Sequence, residues 1–152
     1  MQRIIIMVAS VLFFSLFTFT TKNEASAPKI TNPVDFSVEK QIEYFSSLYQ
    51  GDATLTTRVM ECESSGRHSA VGDGGRSRGI FQFQKATFIS LSKLMGETLD
   101  FNSRFDQIKL ATWAIANGHG DNWTAYRAIK RGGKYSFYSS QLKQHFTVYC
   151  KL

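Results

Sequence analysis

Cysteine is almost absent from this chain: Cys62 and Cys150 are the only two in 152 residues. Neither lies near residue 20, which excludes a lipid-modified N-terminal cysteine, and neither has the spacing or neighbours of a metal ligand or a thiol nucleophile. Histidine occurs three times, at positions 68, 119 and 145, again without metal-ligand spacing, so no metal and no cofactor is expected. There is no internal repeat and no low-complexity tract, which removes the solenoid and linker classes. Acidic residues are missing from the whole C-terminal stretch. After Asp121 come Arg127, Lys130, Arg131, Lys134, Lys143 and Lys151, with no Asp or Glu among them. Charge of either sign is missing from residues 4–20, a nearly continuous apolar run behind Arg3.

That last absence reads as a targeting segment. A short positive start, an apolar stretch and then Ala25-Ser26-Ala27 have the form of a signal peptide over residues 1–27. Pro28 follows directly, a residue that signal peptidase refuses at that place, so cleavage after Ala25 and an uncleaved membrane anchor are the alternatives. The 17 residues of the run are short for a span, which needs about 20. Export to the periplasm or the extracellular space is expected, with membrane contact only through an uncleaved N-terminus. Residues 28–36 read as a linker, and residues 37–152 as one domain large enough to bury a core. Cleavage removes Arg3, Lys22 and Glu24, so 18 basic and 12 acidic residues become 16 and 11, a net charge of +5. A basic exported monomer suits an anionic polymer, either cell-wall glycan with its peptide carboxylates or nucleic acid; the bland alternative is solubility alone. In an oxidising compartment Cys62 and Cys150 either form a disulfide, pinning the tail to the segment around Glu63, or remain two buried thiols.

The body reads as mainly helical. Phe36, Val38, Ile42, Phe45, Leu48 and Tyr49 recur at helical spacing over residues 37–49, stopped by Gln50-Gly51. Asp52 or Thr54 caps a second helix that buries Leu55, Val59, Met60 and Cys62 and ends around Glu63, before Ser65-Gly66. Residues 69–78, Ser-Ala-Val-Gly-Asp-Gly-Gly-Arg-Ser-Arg, are turn-rich. A third helix opens at Gln84-Lys85-Ala86-Thr87 and ends at Gly96. A fourth, largely apolar on a wide face, starts with the capping-box-like Ser103-Arg104-Phe105-Asp106 and ends at Gly118. Trp113, on that helix, reads as core rather than as a ligand contact. Trp123-Thr124-Ala125-Tyr126 opens a short fifth helix, and residues 145–150 alternate weakly like a strand.

Chemistry concentrates around Met60-Glu61-Cys62-Glu63-Ser64-Ser65-Gly66-Arg67 and, sixteen residues after Glu63, Gly79-Ile80-Phe81-Gln82-Phe83. A carboxyl at a helix end, against apolar neighbours, is desolvated and keeps its proton near neutral pH, as protonation of a leaving glycosidic oxygen requires. Gly79 lets backbone approach a ligand closely, and Gln82 offers hydrogen bonds without adding charge. A lone Glu near a helix end is more often a solvated residue, which is how Glu61 reads. The joint pattern of Glu63-Ser64, Arg67, the Gly79–Gln82 segment and the downstream aromatics resembles the catalytic domain of the lysozyme-like superfamily, in particular soluble lytic transglycosylases. The resemblance covers about residues 52–130. Lys85-Ala86-Thr87 lacks the proline usual there, and the Ala-Tyr-Asn-Ala-Gly element of typical transglycosylases is missing.

The resemblance implies a lysozyme-like, mainly α fold with a small β-turn or hairpin region beside a cleft. It implies Glu63 as the acid that cleaves the β-1,4 bond between N-acetylmuramic acid and N-acetylglucosamine. Ser64, Gln82, Phe83, Trp123 and Tyr126 are the implied substrate contacts, the two aromatics by stacking on sugar rings; the alternative is a packed aromatic pair. Asp73 is a candidate second carboxylate or simply a residue suited to its turn. A hydrolytic lysozyme of the same fold and a non-catalytic glycan-binding protein are the alternatives in function. Gly74-Gly75-Arg76-Ser77-Arg78-Gly79 offers only a weak hint of RNA binding, and no nucleic-acid partner is expected. Asn122-Trp123-Thr124 fits an N-glycosylation sequon, relevant only in a eukaryotic secretory pathway.

Overall fold

A computed structural model of the chain describes residues 32–139 and 143–150. The expected signal segment and residues 28–31 of the expected linker lie outside the described residues; the rest of that linker holds a short 3-10 turn, Pro33–Asp35. Five α-helices make up the body: α1 (Val38–Tyr49), α2 (Ala53–Ser64), α3 (Lys85–Met95), α4 (Arg104–Ala116) and α5 (Thr124–Lys130). Between α2 and α3 lies a small antiparallel sheet of three two-residue strands, β1 (Val71–Gly72), β2 (Ser77–Arg78) and β3 (Phe83–Gln84), in the order β1-β2-β3. After α5 the chain forms a hairpin of β4 (Lys134–Ser139) and β5 (Gln144–Tyr149). The domain is thus mainly helical with a small antiparallel sheet, as expected, and the strand expected over residues 145–150 has a partner, β4, that the sequence reading did not foresee.

Helix starts follow local side-chain chemistry. Ser37 accepts from the Lys40 N–H, Asp52 from the Leu55 N–H at 2.9 Å, and Ser103 from the Asp106 N–H at 3.2 Å, each satisfying a donor that the first turn leaves open. The start of α4 is half a capping box. The Asp106 carboxylate turns back to the Asp100 N–H (2.8 Å) rather than to the N–H of Ser103, so it orders the loop that enters the helix. At the other end α4 stops at Ala116, two residues short of the expected glycine, and the His119 N–H reaches the Ala114 carbonyl at 2.7 Å across Gly118.

Helix α4 is the centre of the core. Ile108, Leu110, Ala111 and Ala114 have no exposed surface, and α1, α2 and α3 all pack on this helix. Ile42 and Phe45 of α1, Val59 and Met60 of α2, Phe88 and Leu91 of α3, and Phe81 and Phe83 from the returning segment complete the same apolar cluster. On α2 the inward stripe is Thr56, Val59, Met60 and Ser64, while Leu55 and Cys62 are only partly covered. Trp113 lies at the margin, its ring stacked on His119 at 5.5 Å.

Candidate active site

Glu63 occupies the last turn of α2. Helix α2 ends because Ser65 adopts a left-handed conformation (φ 53°) and its N–H closes on the Glu61 carbonyl; Gly66 (φ 73°) then turns the chain away. Such an end leaves Glu63 at the rim of the core while Ser64 beside it points inward. Glu63 is half-buried there, while Glu61 is exposed.

The neighbour that faces Glu63 is the start of α5. Trp123, in the N-cap position of that helix, has no side chain able to cap it, and the Ala125 N–H donates to the Glu63 carboxylate instead. The acid of α2 therefore serves as the missing cap of α5. Burial pushes the Glu63 carboxyl up from 4.5 to about 7, the Ala125 N–H works against that shift, and the negative charge of Asp73 adds to it. Desolvation dominates, the cause expected for a carboxyl at the edge of an apolar core. At neutral pH the group is close to half protonated.

The segment after β2 is held against α2 by polar bonds rather than by packing alone. The Ser64 hydroxyl donates to the Ile80 carbonyl at 2.6 Å. Gly79 (φ 83°) lies flat against the Gln107 side chain of α4, where any Cβ would collide. Gln82 itself has a positive φ of 50°, and its side-chain amide donates to the Ala70 carbonyl (3.0 Å) and the Gly79 carbonyl (2.9 Å). Its Oε1 rests on Gly72, at a spot where a Cβ would clash with it. Gln82 is thus a clamp that closes β1 onto the returning turn.

An open cleft of about 560 Å³ lies between these elements. Glu63, Asp73, Gln82, Phe83 and Trp123 all line it, and Ser77, Gln84, Thr87, Asn122, Thr124 and Ser136 add a polar lining. Asp73 (φ 50°) sits exposed in the β1–β2 turn, and its Oδ2 accepts from the Ser77 hydroxyl at 2.6 Å. Its carboxylate is therefore spent on a side chain of β2 and not on its own backbone, and it remains in the same cleft as Glu63. Cys62 and Cys150 are disulfide-bonded, with Cα atoms 5.3 Å apart.

No family model, curated protein or solved structure matches this chain.

Four expected substrate contacts are engaged in packing or in other bonds; Phe83, although at the cleft, is 2% exposed and edge-to-face with Phe88 at 5.2 Å. Ser64 is buried and outside the cleft lining, its hydroxyl taken by Ile80; it positions the returning segment. Trp123 is 5% exposed, its ring edge-to-face with Phe83 at 5.1 Å and its indole N–H donating to the Phe81 carbonyl at 2.8 Å. It belongs to the wall of the cleft as a packed aromatic. Tyr126 lies against Gly120, where only a glycine leaves room for the ring, and does not line the cleft. In Gln82 both N–H donors are occupied, which leaves Oε1 as the group able to serve a ligand. The sequence reading missed the backbone of Ala125, although one signal was present: a helix opening on Trp123, without a capping side chain, must borrow an acceptor from elsewhere. Nothing in the sequence pointed to Ser136. Among the described residues no group of three or more His, Cys, Asp or Glu is arranged to hold a metal ion.

Proposed function

We propose that this protein is an exported enzyme that cleaves the β-1,4 bond between N-acetylmuramic acid and N-acetylglucosamine in peptidoglycan, with Glu63 as its acid and base, on a lysozyme-like arrangement of helices. The observation that carries this reading is a carboxyl raised to about 7 by burial, inside an open, polar-lined cleft of about 560 Å³. A glycosidic oxygen leaves only if it is protonated, and a carboxyl half-protonated at neutral pH both gives that proton and takes one back afterwards. In the transglycosylase form, the Glu63 carboxylate left after bond cleavage removes a proton from the C6 hydroxyl of the muramic sugar. That oxygen closes on C1 and leaves a 1,6-anhydro end. No cofactor or second subunit enters the scheme.

Asp73 favours a second version. It lies in the cleft with Glu63, close enough for its charge to raise the Glu63 carboxyl. In a hydrolytic lysozyme such a carboxylate stabilises positive charge on the sugar while Glu63 activates water. Digestion of purified walls, followed by mass analysis of the released muropeptides, separates the versions. Anhydro ends are lighter by one water than reducing ends. Walls that bind the protein but release no soluble fragment, with wild type and Glu63→Gln alike, would leave only a glycan-binding role.

A further inference from the structure

The β4–β5 hairpin lies beyond the segments that build the acid site, yet Ser136 of β4 lines the same cleft as Glu63 and Asp73. Lys134 pairs with Tyr149 and Ser136 with Thr147. Residues two apart on a strand share a face, so Lys134, Ser136, Thr147 and Tyr149 form one surface, about 7 Å from the first pair to the second. All four are exposed, Tyr149 at 73%. The Ser136 and Thr147 hydroxyls are 2.9 Å apart, which fixes the polar middle of that surface at the cleft.

The base of the hairpin is anchored to the machinery of the site. The Gly133 N–H donates to the Ala128 carbonyl of α5 at 2.8 Å, and the Cys150 N–H donates to the Gly133 carbonyl at 2.7 Å. The Cys62–Cys150 bond attaches the end of β5 to the residue before Glu63. A strand pair held at its root by both helices that flank the acid is a wall of the site and not a loose appendage. That wall has a sign. From residue 122 to the end there is no acidic residue, while Lys134 stands on the cleft-side face of the hairpin.

We propose that this face of the hairpin binds the acidic peptide arm of the glycan strand whose sugar backbone lies at Glu63. Lys134 meets a peptide carboxylate, Tyr149 covers the apolar part of the arm, and Ser136 and Thr147 hydrogen-bond its backbone. The proposal rests on the peptidoglycan reading above. It goes further by assigning a peptide subsite to a segment outside the resemblance, and by making the substrate peptide-bearing strands rather than bare glycan.

Steady-state cleavage of intact, peptide-bearing walls and of glycan strands stripped of peptide by an amidase tests it, using the full oxidised chain. Lys134→Ala should lower kcat/KM on intact walls about three- to fivefold, the range of an exposed ion pair. Lys134→Glu should lower it further, and Lys134→Arg should restore it. All three should match wild type on stripped strands, and Lys40→Ala on α1 should match it on both. Equal loss on the two substrates, or loss on neither, overturns the peptide subsite while leaving the enzyme reading intact. A wild-type protein that cleaves neither substrate removes both together.

Discussion

Replacing Glu63 by Gln separates the desolvated acid from any question of catalysis, because it changes stability in a pH-dependent way. The neutral amide keeps an oxygen for the Ala125 N–H and removes only the titration. In the folded chain the carboxyl titrates at about 7, against 4.5 when exposed. Between those values the native state holds more protons than the unfolded one, so wild-type stability falls as pH rises from about 4.5 through about 7. A raised carboxyl thus favours the fold at low pH and costs stability above its folded pKa. A shift of 2.5 pH units corresponds to about 3 kcal/mol at 1.36 kcal/mol per unit. Urea unfolding of both proteins at pH 4.5, 6 and 8, with the disulfide intact, should therefore show similar stabilities at the lowest pH. The Gln variant should gain about 3 kcal/mol on wild type by pH 8. A difference that stays constant across this range would mean that the carboxyl is hydrated and titrates normally, and the reasoning from burial to acid would fail with it.

Changing both cysteines to Ser should lower stability by about 4–5 kcal/mol in the chain-entropy description of a loop closed across 88 residues, read from urea midpoints. Gly72→Ala drives a methyl into Gln82 Oε1. It should cost about 1–3 kcal/mol in thermal unfolding and should lower wall cleavage at the same time, because the clamp it disturbs shapes the cleft. Asp73→Asn removes a charge that raises Glu63, so the alkaline limb of the pH–rate profile should move to lower pH. Wall cleavage should drop at least about a hundredfold if that carboxylate carries the hydrolytic version, and by less than about tenfold in the anhydro version, which makes the same variant a check on the muropeptide masses.

How much of this was legible in the sequence depended on the range of the interaction. Ser37, Asp52 and Ser103 announce helix starts because each bonds a backbone N–H within three residues of itself. The acid at Glu63 was legible for a similar reason: a helix stop at Ser65-Gly66 and an apolar run before it are neighbours in the chain. Packing partners were not. Trp123 reads as a candidate sugar platform until Phe81 and Phe83, some forty residues away, close over it. Tyr126 reads the same way until Gly120 takes its ring. Gln82 does line the cleft, but its two donors go to Ala70 and Gly79, a distribution set by the fold of the turn and not by residue type. The β4 strand stayed hidden because its pairing with β5 is a matter of register between segments, and its link to the site runs through the Cys62–Cys150 bond.

The bond from the Ala125 N–H to Glu63 has a further consequence for any cycle of proton transfer in the cleft. A carboxylate is a much stronger acceptor than a carboxylic acid. When the acid surrenders its proton, its attachment to α5 tightens, and when it is reprotonated that attachment slackens. In the proposed cleavage cycle the tie between α2 and α5 would therefore be firmest once the proton has been given up.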